Sequence, residues 1–210
     1  MGIVRKALTI LLAVTAFLPV MAQQQTEQSD SLVRLLKSQY VQMVDVEGGR
    51  YRKVVGPARF LHNDTYLLCD TAYWNVETNI IDAWGNVSIL QEETVLTSDK
   101  LTYLIDDNLA QFRGTLVQLQ DKDHNVLRTK FLDYNTKDSL AVFNNGGAMR
   151  DKDGQIIESR QGTYDSKAKM FTFRDDVNMF TDSIFVKTSD LVYESDLNLA
   201  TFGSGTNAWK

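Results

Sequence analysis

The scarcities of this sequence exclude a good deal. A single cysteine, Cys69, stands among 210 residues. That rules out an internal disulfide framework and leaves the thiol to pack as a small apolar side chain in a strand. There are only two histidines, His62 and His124. Both lie in polar, turn-like contexts without a second His or Cys at ligand spacing, which argues against zinc. No glycine-rich phosphate loop and no G-x-S-x-G elbow occurs. Basic blocks are missing and the net charge is −5, a poor balance for a nucleic-acid binder. Beyond Tyr40 there is no useful run of 3.6-residue periodicity, so a helical bundle is excluded. Only two prolines occur, and 43% of the residues are hydrophobic; the chain is long and apolar enough for a sizeable core.

One long apolar run does occur, at the start. Arg5 and Lys6 precede the stretch Ala7 to Val20, and Val20-Met21-Ala22 ends on small residues. This is the layout of a secretory signal peptide over residues 1–22, cleaved after Ala22; the apolar stretch is short for a span of about 20 residues. No cysteine stands just after the cleavage site to carry a lipid anchor. Removal of Arg5 and Lys6 takes the net charge to −7. Residues 23–40 read as a polar leader with a short helix over Ser31 to Tyr40, on the spacing of Leu32, Leu35, Leu36 and Tyr40. A strand starting near Val41 competes with the end of that helix.

Residues 41–210 read as β throughout. Val41–Val46 and Tyr51–Val55 flank the turn Glu47-Gly48-Gly49-Arg50, and Gly56-Pro57 marks a bulge or an edge. Clusters of Asn, Asp and Gly then punctuate the chain about every 15 residues, because these residues accept left-handed geometry or bond their own backbone. Strand-length segments rich in Val, Ile, Thr, Tyr and Phe lie between them. The plan repeats. Tyr73, Tyr103, Tyr134, Tyr164 and Tyr193 stand 30, 31, 30 and 29 residues apart, a period that points to stacked repeats in which each unit buries its apolar face on its neighbours. Nine residues after a tyrosine come Phe112, Phe143, Phe173 and Phe202; seven after, Ala110, Ala141, Phe171 and Ala200. Positions of equal parity share a strand face, so these residues form ladders along one interior wall. Alternation groups Leu101, Tyr103 and Ile105 on one face, and Leu127, Thr129 and Phe131 on another. The ladders either fill a core, which spacing alone favours, or line an open apolar groove. The inward-facing candidates are Leu101, Tyr103, Ala110, Phe112, Phe131, Tyr134, Phe143, Phe173 and Phe202, with the inward parity uncertain by one residue.

Several boxes in register resemble the OstA-like family, which includes periplasmic lipopolysaccharide transport proteins. They are Gly56-Pro57-Ala58-Arg59-Phe60, Leu68-Cys69-Asp70-Thr71-Ala72-Tyr73-Trp74, Ile81-Asp82-Ala83-Trp84-Gly85-Asn86-Val87 and Leu96-Thr97-Ser98-Asp99-Lys100-Leu101-Thr102-Tyr103. The resemblance runs from Val41 to the C-terminus. The third and fourth units depart from it, carrying Asn144–Gly147 and Asp175-Asp176 where the simple glycine box would stand. The resemblance implies an antiparallel β-jellyroll folded like a taco, two facing walls with open edge strands at the ends. It implies acyl chains of lipopolysaccharide or lipid A held in the interior, the groove reading. It also implies partners of the same fold stacked on those edges, including a head-to-tail homo-oligomer, and residence in the periplasm. No cofactor, metal or catalytic set is expected. Asp99, Asp133, Asp165 and Asp190 read as turn formers and exposed strand residues, and Asp121–Asp123 and Asp151–Asp153 as hairpin tips. The rivals to a transport module are a structural or adhesive β-solenoid with a filled core and a carbohydrate-active β-helix with an acidic cleft.

Overall fold

The computed structural model of the chain describes residues 32–47 and 49–210; the expected signal peptide and polar leader lie outside them, apart from the leader's last residues. Sixteen strands occur among the described residues, and every pairing is antiparallel. The first eight are β1 (Arg34–Lys37), β2 (Tyr40–Val46), β3 (Gly49–His62), β4 (Thr65–Asn75), β5 (Ile80–Gln91), β6 (Thr94–Leu104), β7 (Leu109–Gln120) and β8 (Val126–Asn135). Then follow β9 (Leu140–Phe143), β10 (Gly147–Arg150), β11 (Ile156–Ser159), β12 (Gln161–Asp165), β13 (Met170–Phe180), β14 (Phe185–Glu194), β15 (Leu199–Phe202) and β16 (Asn207–Trp209).

From β3 to β8 each strand pairs with the next. Elsewhere two short strands share one long neighbour: β1 and β2 on β3, β9 and β10 on β8, β11 and β12 on β13, β15 and β16 on β14. Each such couple is one long strand interrupted in the middle. The long strands are broken at the same level, where register shifts fall between Val55 and Ala58, Trp84 and Val87, Thr97 and Lys100, and Arg174 and Val177. A bulge bends its strand and re-aims the side chains beyond it. Repeated along the sheet, the bulges make a crease, and the halves on either side become two walls with one shared core.

Chemistry at the crease explains the recurring glycine box. Gly85 and Asn86 both take left-handed geometry (φ 74° and 46°), and Asp70 of the neighbouring strand packs over them. A Cβ on Gly85 would lie 2.5 Å from the Asp70 carboxylate, which instead accepts a 2.7 Å hydrogen bond from Asn86 Nδ2. Asp99 accepts the Thr115 hydroxyl in the same way. Where the sequence departs from the box, the carboxylate moves to the bulge itself and meets a cation. Asp175 and Asp176 hold the same two left-handed positions (φ 61° and 51°), and the break between β11 and β12 supplies Arg160, 2.7 Å from Asp176.

Two sequence expectations are corrected here. The helix over Ser31 to Tyr40 is not formed: β1 occupies Arg34–Lys37 and β2 begins at Tyr40. Leu35 pairs with Phe60 and packs against the core from a strand, and tertiary pairing overrides a weak local period. Tyr73 is not the first tyrosine of the ladder. It faces outward beside Trp84 and Lys53, and Trp74 holds its place, paired with Ile81 opposite Tyr103.

Candidate functional site

Each wall presents its own row of side chains to the interior. In the tyrosine wall, strand by strand, Trp74, Ile81, Tyr103, Ala110, Tyr134, Ala141, Tyr164, Phe171, Tyr193 and Ala200 stand opposite one another. Large and small residues alternate over much of the row, so that one tyrosine fits between the alanines of its neighbours. A second row nearer the crease holds Leu101, Phe112 and Leu132, then Phe143, Gly162, Phe173 and Leu191. Gly162 is required for packing: a Cβ there would lie 2.4 Å from the Thr172 carbonyl and 2.7 Å from the Phe143 ring. The facing wall answers with a row that is aliphatic beyond its first member: Phe60, Leu67, Ile89, Leu96, Leu119, Leu127, Met149, Ile157, Met179 and Val186. Leu101, Tyr103, Ala110, Phe112, Tyr134, Phe143 and Phe173 all lie in this interior and are buried.

Phe131 and Phe202 differ. Phe131 lies on the outside, 43% exposed, with the Arg113 guanidinium 5.8 Å from its ring centroid. Lys130 and Phe131 both point outward at the bulge, so the parity of Leu127 and Thr129 does not carry across the crease. Phe202 pairs with inward-facing Leu191 but sits on the last rung, where it is 37% exposed.

The free margins of the walls meet along a polar seam that periodicity did not disclose. Tyr103 OH is hydrogen-bonded to His62 Nδ1 and, at 3.1 Å, to Thr136 Oγ1. Tyr134 OH donates to Gln91 Oε1 at 2.8 Å, and Gln91 Nε2 donates to the Thr136 carbonyl at 2.7 Å. Thr94 and Asp121 lie close to the Tyr164 hydroxyl. Tyr193 OH meets Asn198 Oδ1 at 2.7 Å and Asp151 Oδ2 at 3.3 Å. Three of these tyrosines reach a residue 41, 43 or 42 residues earlier; that second offset was the available signal. Burial pushes the Tyr103 and Tyr134 hydroxyls up to about 12 and those of Tyr164 and Tyr193 higher still. They remain neutral donors at ordinary pH. One donor of the row is unmatched: Trp74 Nε1 is buried and has no hydrogen-bond partner among the described residues.

Among the described residues no group of His, Cys, Asp or Glu is arranged to hold a metal ion, and no helix is long and apolar enough to cross a membrane. Asp99, Asp133 and Asp165 are engaged separately, with Thr115, with Arg113 and with the backbone of Lys167 and Ala168. Cys69 is buried, and burial pushes its thiol up to about 12.

Fold and interior together define a repeat-built, two-walled antiparallel β-sheet stack around a continuous apolar core. The profile of the OstA-like proteins matches residues 30–202, and the chain belongs to that family. Among solved structures it is similar to the crystal structure of LptH from Pseudomonas aeruginosa, described as the LptA-homologous periplasmic component of the lipopolysaccharide transport device. The identity is 14%, the TM-score 0.32, and the match covers 70% of this chain and 94% of that one. No curated protein matches the chain.

Proposed function

We propose that the chain is a non-enzymatic periplasmic module that holds the acyl chains of lipopolysaccharide between its walls and passes them along a stack of like domains toward the outer membrane. The observation that carries this reading is an apolar interior running from edge to edge. Val41 on β2, paired with buried Val54, is about half exposed at one end of the second row, as is Phe202, to a lesser degree, at the other. A further domain of the same fold, or a second copy, would pair with these edges, unpaired among the described residues, and extend the interior rows. Sequestering a CH₂ group is worth roughly 0.8 kcal/mol, so a chain of about a dozen carbons offers close to 10 kcal/mol gross. Apolar rows supply that without a shape-specific pocket, provided the walls part to admit the chain.

A photo-crosslinking residue at position 112 or 143, challenged with lipopolysaccharide, tests the reading. An adduct at either position is expected; none at either, with native circular dichroism, sinks it. One observation favours a second reading: Phe112, Phe143 and Phe173 are at most 1% exposed, as in a structural β-stack with a permanently filled core. That reading expects no adduct at any lipid concentration.

A further inference from the structure

The seam raises a question of chemistry that a trough for hydrocarbon does not answer. Its tyrosine hydroxyls, with His62, Gln91 and Thr136, are buried, and a chain that parts the walls there pulls the hydroxyls from their partners. Buried donors left unmatched oppose opening, so a cargo stably held must bring acceptors to the same depth. Trp74 Nε1, in register with the tyrosines, lacks an acceptor even when the seam is shut. The row is also uneven. Ala110 separates Tyr103 from Tyr134, whereas Phe171 fills the corresponding place between Tyr164 and Tyr193, stacked 4.2 Å from the Tyr164 ring. Small side chains thus flank Tyr134 on both sides, Ala110 and Ala141, and the aromatic stack begins only at Tyr164.

We propose that Trp74, Tyr103 and Tyr134 form a binding site for the carbonyl linkages of an acylated amphiphile. The chains lie among the apolar rows, and the ester or amide carbonyls accept from the indole N–H and the two phenols, which exchange away from His62, Thr136 and Gln91. Alternate strands present these donors, and two strand spacings amount to about 10 Å, so neighbouring linkages of a multiply acylated molecule engage neighbouring donors. This inference rests on the lipid-binding reading and adds to it a preference for carbonyl-linked over purely alkyl cargo.

The test compares a diester phosphatidic acid with its diether analogue of equal chain length, titrated into the purified chain and followed by intrinsic tryptophan fluorescence and by equilibrium binding. The wild-type protein is expected to bind the diester at least about fivefold more tightly. Tyr103→Phe, Tyr134→Phe and Trp74→Phe each keep a ring in place, and combined they are expected to bring the two affinities together. Equal affinities in the wild type, or a ratio unmoved by the substitutions, overturn the site while lipid binding stands. A purely structural latch predicts lower melting temperatures in the variants with an unchanged ratio, which also overturns it. Failure of the wild type to bind either lipid removes the proposed function itself. If the triple variant does not fold, the single variants carry the ratio measurement.

Discussion

At the scale of single residues the protein depends on a few close approaches. Gly162 separates the Phe143 ring from the next strand's backbone, so Gly162→Ala is expected to cost about 3 kcal/mol, read from the denaturation midpoint. The fit around Phe143 was not visible in the sequence, because only strand pairing sets Gly162 opposite Phe143. The buried tyrosines make a second prediction. Tyr103 and Tyr134 are raised from 10.0 to about 12 by burial, so the folded state holds their protons longer than the unfolded chain does. Their contribution is complete below pH 10 and is lost as pH rises from 10 to 12, by roughly 2–3 kcal/mol for each hydroxyl. The melting temperature should therefore hold steady up to about pH 9 and fall steeply beyond 10. Substituting phenylalanine at both positions should flatten that fall.

At the scale of the element the crease is the defining device, and its two parts differ in weight. Left-handed geometry and the Asp70 contact both demand glycine at position 85, so Gly85→Ala is expected to lose about 2 kcal/mol. The Arg160–Asp176 pair is more than half exposed on both sides. Arg160→Ala should accordingly change stability by less than about 1 kcal/mol, a contrast that thermal melts of the two variants would display. Strand positions and turn clusters were legible in the sequence because Asn, Asp and Gly mark turns by local chemistry. The short helix over residues 31–40 was misread because Leu35 is placed by pairing with Phe60, a partner 25 residues away. Phe131 was assigned to the wrong side for a related reason: alternation assumes an unbroken ladder, and the bulge resets it.

At the scale of the whole molecule the unmatched ends matter most. Val41 at one edge and Phe202 at the other continue the second interior row into solvent. If copies stack head to tail, Phe202→Asp should leave the chain folded by circular dichroism and shift sedimentation toward the monomer at concentrations where the wild type assembles. Unchanged sedimentation of an assembling wild type would argue for joining through some other surface. The seam belongs to this scale too, since it joins hairpin tips roughly 40 residues apart in the chain and exists only once the sheet has folded on itself.

The sequence by itself determined that the chain is all-β, that it repeats about every 30 residues, that tyrosine and phenylalanine hold fixed places in each unit, and that the repeat boxes are OstA-like. Those properties follow from local turn chemistry and from period-two alternation within a strand. Only the tertiary structure decided that Trp74 rather than Tyr73 opens the tyrosine row, that Phe131 faces outward, that an Arg160–Asp176 ion pair replaces the glycine box, and that buried hydrogen bonds close the mouth between the walls. Each of these depends on which strand lies beside or across from which, and the crease sets that through register shifts whose sizes alternation along a single strand does not encode.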